Sequence, residues 1–152
     1  MVVEEIVNSL LVAQKSSWEN LIQVSKTNKI ANGYLFSGPT GSGKEVIALK
    51  FSQLLNCENS DDKICRKCGS CIRFNKLQHE NLKIITPLPA PKNTSSDLNS
   101  SGGIFSEDLI KSIKKKSENP FYKISIKNAN RILIQSIREL RKILYLKHDQ
   151  KK

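Results

Sequence analysis

Four cysteines in the middle of the chain have a spacing that is typical of a metal site. They are arranged as C-x7-C-x2-C-x2-C, at Cys57, Cys65, Cys68 and Cys71. Two overlapping C-x2-C steps direct thiolates toward one point, as tetrahedral Zn²⁺ requires, and we expect Gly69 to supply the turn. We expect His79 to pack or to lie at the surface, because four thiolates already complete a closed site. The pattern predicts a structural, non-catalytic zinc module at residues 57–76.

Two alternatives to zinc stay open at this point. C-x2-C-x2-C steps also bind iron–sulfur clusters in ferredoxins, although the C-x3-C-P step of that class is absent here. Four free, reduced thiols are the other alternative.

A second motif, at residues 38–45, follows the phosphate-binding pattern G-x-x-x-x-G-K-[ST] at every position except the last. The residues predicted to contact a nucleotide are Gly38, Pro39, Thr40, Gly41, Ser42, Gly43, Lys44 and Glu45. Glycines leave backbone N–H groups open to an anion and permit positive φ angles, and the lysine reaches the β- and γ-phosphates. The motif predicts binding of ATP or ADP, with Mg²⁺ as an optional partner; a chance glycine-rich turn is the alternative.

Glu45 is the departure from this pattern. The usual Ser or Thr hydroxyl at its position ligates Mg²⁺, which neutralises charge during phosphoryl transfer. A glutamate there is expected mainly to favour the positive end of the following helix. We therefore predict nucleotide binding without efficient hydrolysis, and we assign no catalytic residue.

The surrounding sequence predicts the elements that position these two motifs. Helical spacing of apolar residues extends over residues 1–30, over the dozen residues after the loop lysine, over 106–117 and over 130–147. A polar helical piece is expected to end near Leu77. Short apolar runs predict strands at 34–37, 81–89 and 121–126. A strand, a glycine-rich turn and a helix are the context that a phosphate loop needs. Residues 90–105 are rich in Ser, Asn and Gly and predict a flexible loop.

Composition restricts the class of protein. The chain has 152 residues and a formal net charge of +11. This charge suits a nucleic-acid partner, and lysines that are merely solvated would explain it equally well. No apolar run approaches the ~20 residues of a membrane span, and Glu4 and Glu5 lie where a signal peptide would be positive. We therefore expect a cytoplasmic protein that meets no membrane and has no disulfides.

The order of these motifs resembles one family. A phosphate loop, its helix and then an inserted four-cysteine module are similar to the clamp-loader ATPase subunits of bacterial DNA polymerase III, delta-prime and gamma/tau, which are AAA+ proteins. The resemblance rests on "IANGYLFSGPTGSGKE", on the cysteine spacing, on "QHENLKIITP" and on "ILIQSIRELRKIL". Delta-prime resembles this chain more closely, because its phosphate loop is often degenerate, as Glu45 makes this one.

The resemblance implies a fold and a set of partners. The fold class would be α/β: a P-loop (AAA+) core with a parallel sheet, incomplete at the C-terminus, with the zinc module inserted. Residues 1–152 would then be part of one nucleotide-binding domain, since the acidic strand that polarises the attacking water in this family would follow Lys152. The partners would be other clamp-loader subunits, the sliding clamp and primed DNA. We expect no ATP hydrolysis by this chain alone.

Two other functions stay open on the sequence. A stand-alone P-loop kinase or other NTPase would use Lys44 on ATP, but it needs an acidic residue at a strand end, and none is visible. A zinc-bearing adaptor without catalysis would carry the glycine loop as a remnant. For nucleic acid, the basic residues Arg131, Arg138 and Lys142 share one face of the last predicted helix and are the candidate DNA contacts.

Overall fold

Six helices account for the regular structure that a computed structural model describes. It covers residues 2–27, 30–59, 63–89 and 107–145. The helices are α1 (Val2–Ala13), α2 (Lys15–Lys26), α3 (Lys44–Leu55), α4 (Gly69–Asn75), α5 (Glu107–Glu118) and α6 (Ile134–Tyr145). All the predicted helices are therefore confirmed, and the first is divided in two at Gln14. The predicted loop at 90–105 lies outside the described residues.

Helix α3 forms the centre of the fold, and α2 and α4 pack against it. It begins directly after the glycine-rich segment and buries four apolar side chains: Val46, Ile47, Phe51 and Leu54. Buried positions three to four residues apart give one helix a continuous apolar face. The loop that precedes α3 and the cysteines that follow it are therefore both held by the same rigid helix.

The prediction of a parallel sheet is wrong for the described residues. None of the segments 34–37, 81–89 and 121–126 forms a strand, and the β pairing found there is one isolated antiparallel bridge, between Leu88 and Arg131. A ladder needs neighbouring extended segments in register, but these segments pack on different helices. Residues 34–37 contact α3, whereas the other two segments lie against α5.

The segment at 34–37 is nevertheless extended and has two distinct faces. The rings of Tyr34 and Phe36 lie 5.1 and 6.5 Å from the ring of Phe51 on α3. Leu35 between them points away and is 92% exposed. This alternation is what a strand-like backbone produces. The segment thus leads into the loop with one face packed on α3 and the other exposed.

A second apolar cluster lies apart from α3. It joins Leu88, Leu109 of α5 and Ile126, with Ile113 and Leu133 packed against it. Helix α6 follows this cluster, and each of its residues is at least partly exposed. Its apolar face, from Ile137 to Leu144, is therefore only partly covered by the described part of the chain. No helix among the described residues is long and apolar enough to cross a membrane.

Candidate metal centre and phosphate loop

The four cysteine sulfur atoms converge after α3. All four lie within 4.8 Å of one another, and Cys65 Sγ lies 3.9 Å from Cys71 Sγ. Thiolates bound to zinc at about 2.3 Å in a tetrahedron lie about 3.8 Å apart. A disulfide would need about 2.05 Å, and all four cysteines are free. The donor set and its spacing therefore fit one tetrahedral thiolate-binding metal such as zinc.

Backbone N–H groups support these sulfur atoms. The N–H groups of Cys65, Cys68 and Cys71 each donate to the sulfur of the preceding cysteine in the motif, at 3.4 Å. The N–H groups of Cys68 and Lys67 lower the pKa of the Cys65 thiol to about 6. Burial raises the pKa of Cys57 and of Cys71. Four thiolates are thus unfavourable without a cation, and a metal that binds here must displace protons.

The turn in the cysteine motif comes from Arg66 rather than from Gly69. Arg66 has a φ of 59°, in the left-handed region, whereas Gly69 is the first residue of α4 and has no positive φ. The Arg66 side chain reaches α1, where it donates to Asn8 Oδ1 at 3.0 Å and lies 3.7 Å from Glu4. The expectation that Gly69 makes the turn is therefore wrong, and the strained position also ties the module to α1.

A chain of three hydrogen bonds connects the residues that follow the cysteine module to Asn56, which precedes it. The Asn81 N–H donates to His79 Nδ1 at 3.1 Å, so the proton of the neutral ring lies on Nε2. That nitrogen lies 2.9 Å from Ser70 Oγ, and the Ser70 hydroxyl donates to the Asn56 carbonyl at 2.5 Å. His79 is buried, and burial lowers its pKa although Glu80 acts in the opposite direction. His79 is therefore a packing residue, as expected, and not a metal ligand.

Gln53 connects α3 directly to the module. Its side chain is buried, and its Nε2 donates to the Cys71 carbonyl at 3.2 Å and to Asn75 Oδ1 at 3.0 Å. Its Oε1 accepts from Lys50 Nζ at 2.9 Å. The amide therefore uses both of its donors and its acceptor, and it fixes α4 against the helix that carries the phosphate loop.

The phosphate loop has the backbone that its glycines predict. Gly41 and Gly43 have φ angles of 84° and 75°, which L side chains rarely adopt. A Cβ at Gly41 would meet open space, whereas one at Gly43 would lie 2.5 Å from a methyl carbon of Leu10 in α1. The loop thus leaves open space on one side, and α1 closes off the other at its last glycine.

Lys44 begins α3 and folds back over this loop. Its Nζ donates to the carbonyls of Gly38 and Pro39, at 3.2 and 3.1 Å. The ammonium therefore lies beside the glycine-rich turn, at the N-terminal end of a helix, where both charges favour an anion. The Ser42 hydroxyl is also in the loop, and its buried oxygen has no hydrogen-bond partner among the described residues.

Glu45 points in another direction. Its Oε2 accepts from Lys116 Nζ of α5 at 2.8 Å. The sequence predicted only a favourable interaction of this carboxylate with the positive end of α3. It did not predict the ion pair with Lys116. Lys116 itself could have been suspected, because Leu109, Ser112 and Lys116 share the buried face of a helix. A lysine on such a face must find a partner.

A cavity of about 270 Å³ lies between α1, α3, α4 and α5. Apolar side chains such as Val46, Leu49 and Phe74 share its wall with Lys50 and Arg66. Burial lowers the pKa of Lys50, and the charge of Arg66 adds to this effect. Residues 38–45 do not line this cavity, so it is separate from the open side of the phosphate loop.

Comparison with known proteins places these features in one family. The model of the family described as "DNA polymerase III, delta subunit" matches residues 13–148, which include both the phosphate loop and the cysteine module. The chain belongs to this family. Membership in the delta-subunit family implies the AAA+ class, although the described residues form no sheet.

Relatives of this delta-subunit family member come from bacteria and a plant. DNA polymerase III subunit gamma/tau of Mycoplasma genitalium is 31% identical over 57% of this chain and 14% of its own length. Subunit tau of Bacillus subtilis is 36% identical over 40% of the chain and 11% of its own length. Protein STICHEL of Arabidopsis thaliana is 37% identical over 49% of this chain and 6% of its own length. The chain thus matches less than a sixth of each relative, and no solved structure matches it.

These findings confirm the coarser part of the resemblance. The chain belongs to a family of DNA polymerase III subunits, and part of it is similar to the gamma/tau and tau subunits. The two bacterial relatives named above are gamma/tau and tau, and the family description is delta subunit, so delta-prime remains a prediction. Zinc and nucleotide also remain predictions, each with a donor set that fits.

Proposed function

We propose that this chain acts as a delta-prime-like subunit of a clamp loader, which binds ATP or ADP and supports loading of the sliding clamp on primed DNA. Other clamp-loader subunits would be its direct partners, in the cytoplasm. The supporting context is its family membership together with a phosphate loop on a helix that also carries a four-thiolate centre.

The observation that carries the nucleotide part is the position of Lys44. Its ammonium lies 3.1 and 3.2 Å from two loop carbonyls, beside two glycines with positive φ. An ammonium, several open N–H groups and a helix N-terminus at one place form an anion-binding site. In a complex the β- and γ-phosphates would replace the carbonyls as partners of Lys44.

The proposed role is binding rather than hydrolysis. Glu45 stands where a hydroxyl would ligate Mg²⁺, and Glu107 and Asp108 lie in the first turn of α5 rather than at a strand end. The described residues therefore offer no acidic pair on a strand beside the loop. We propose that the bound nucleotide stabilises the subunit, and that the metal centre holds α4 and the end of α3 together.

Titration calorimetry with ADP and ATP on the zinc-loaded chain tests this proposal. We expect binding that Lys44→Ala abolishes, because this change removes the cation from the loop. Lys83→Ala, at an exposed lysine outside the loop, is the matched control and should bind like the wild type. Equal affinity of wild type and Lys44→Ala would contradict the proposal.

A second candidate is a zinc-bearing adaptor that binds no nucleotide. The contact of Leu10 with Gly43 favours it, because α1 covers one side of the loop. This function predicts no heat with either nucleotide for any variant, with the metal centre intact. The same titration therefore separates the two candidates.

A further inference from the structure

Lys116 is a buried lysine outside both sequence motifs. Its side chain is 5% exposed, and its ammonium makes three hydrogen bonds. The acceptors are Glu45 Oε2 at 2.8 Å, the Pro120 carbonyl at 3.3 Å and the Tyr122 carbonyl at 2.8 Å. An ammonium has three N–H donors, so all of them are used.

In this ion pair Lys116 is the fixed partner. Two of its hydrogen bonds go to backbone carbonyls at the end of α5, and these hold the ammonium in place. Glu45, by contrast, is 58% exposed and would be free to turn without Lys116. The pair therefore determines where the Glu45 carboxylate lies.

The direction of that carboxylate matters for the phosphate loop. Lys44 and Glu45 are adjacent, yet one side chain folds over the loop and the other reaches α5. A free carboxylate beside the loop would repel phosphates or would need a bridging metal ion. Held by Lys116, its charge is paired, and the loop keeps Lys44, N–H groups and the helix end for the anion.

We propose that Lys116 is a positioning residue, which holds Glu45 away from the phosphates so that this loop binds a nucleotide without Mg²⁺. The inference rests on the nucleotide binding proposed above and adds its metal dependence. It also makes α5 part of the nucleotide site through Lys116, which lies 71 residues along the chain from Glu45.

The test is the affinity of the zinc-loaded chain for ADP in Mg²⁺ relative to that in Mg²⁺-free buffer without a chelator. For the wild type we expect a ratio of about one. For Lys116→Gln we expect binding in Mg²⁺-free buffer to weaken about fivefold or more, because the released carboxylate faces the phosphates. Added Mg²⁺ should restore that affinity by bridging the carboxylate and the phosphates, so the ratio should rise.

Two variants separate this effect from loss of a charge or of stability. Lys111→Gln removes an exposed lysine of the same helix, which pairs with Glu107 at 3.2 Å, and its ratio should stay near one. The double variant Glu45→Gln/Lys116→Gln has no carboxylate to release, so its ratio should return to about one. A merely structural role of Lys116 would not produce this return.

The possible results of this test distinguish failure of this inference from failure of the proposed function. No ADP binding under either condition ends both proposals, whereas wild-type binding that requires Mg²⁺ overturns this inference alone. An unchanged ratio in Lys116→Gln also overturns it. If Lys116→Gln does not fold, Glu45→Thr serves instead, since a hydroxyl at this position should raise the ratio, and an unchanged ratio there would count against the inference.

Discussion

Ser70 and Ser42 both carry a shielded hydroxyl, but only one of these hydroxyls is hydrogen-bonded in the described structure. Ser70 Oγ joins His79 to the Asn56 carbonyl, while Ser42 Oγ in the phosphate loop has no partner. The same substitution at the two positions therefore removes very different interactions.

We expect Ser70→Ala to lower the free energy of unfolding by about 1–3 kcal/mol, because it leaves the His79 N–H and the Asn56 carbonyl without partners. Ser42→Ala should change it by less than about 0.5 kcal/mol, since no hydrogen bond is lost. Urea unfolding of the zinc-loaded proteins measures both values. Equal losses for the two variants would contradict the hydrogen-bond chain.

At the residue scale, local sequence patterns predicted the residues of the two candidate sites, but not the partners that these residues meet through tertiary packing. The cysteines and residues 38–45 could be recognised because their chemistry depends on short, fixed spacing. The partner of Glu45 could not, since Lys116 is brought to it by packing of α5. His79 could only be limited to packing or surface, as its role depends on burial between Ser70 and Asn81.

At the scale of elements, the candidate metal centre between α3 and α4 gives a prediction that one substitution can test. Elemental analysis should find about one zinc per chain, as a four-thiolate site requires. Cys68→Ser should lose the metal, because it removes one of the four predicted thiolate ligands. His79→Gln, which leaves all four thiols, should keep the metal. Iron in place of zinc, or full metal content in Cys68→Ser, would contradict this prediction.

Helix α6 gives a prediction about DNA. Its Arg138 and Lys142 are exposed, and so is Arg131, which precedes the helix and lies in the bridge to Leu88 rather than on the predicted helix face. If these three residues meet phosphates, affinity should fall steeply with salt. The triple variant Arg131→Gln/Arg138→Gln/Lys142→Gln should reduce the salt slope of DNA binding by about 0.9 per lost phosphate contact.

Fluorescence anisotropy with primed DNA at several salt concentrations measures that slope. A control with the same change in charge replaces Lys111, Lys114 and Lys123 with Gln, all exposed and outside α6. If both triple variants lose the same slope, Arg131, Arg138 and Lys142 have no special role in DNA binding.

Helices were more predictable than strands for a physical reason. A helix satisfies its hydrogen bonds within one segment, so periodicity alone located α3 and α5 closely. A strand needs a partner segment, and the apolar runs at 34–37 and 121–126 instead pack on α3 and α5. Sequence alone could not give the neighbours of these segments.

At the scale of the molecule, two apolar clusters hold different parts of the chain. One contains the cysteines with Ile64, and the other contains Leu88, Leu109 and Ile126. Gln53 joins α3 to the first cluster, and the ion pair of Lys116 with Glu45 links α3 to the helix of the second.

Removal of zinc by a chelator should therefore destabilise the part of the chain around the cysteines and leave the part around Leu88, Leu109 and Ile126 largely unchanged. We expect faster amide hydrogen exchange over residues 51–59 and 63–81, which would lose the support of the metal, and little change over 107–133. Mass spectrometry of exchanged peptides measures this difference. A uniform increase over both regions would show that the two clusters unfold as one unit.

The contact between Leu10 and Gly43 has a consequence for the history of the sequence. A side chain at position 43 would collide with α1 whether or not a phosphate ever binds. Selection for packing alone would therefore preserve this glycine in descendants that had lost the ligand. Gly41 faces open space, so only its backbone angle restrains it, and it would be the first of the two to drift. Of these two glycines, Gly41 is thus the better record of ancestral binding.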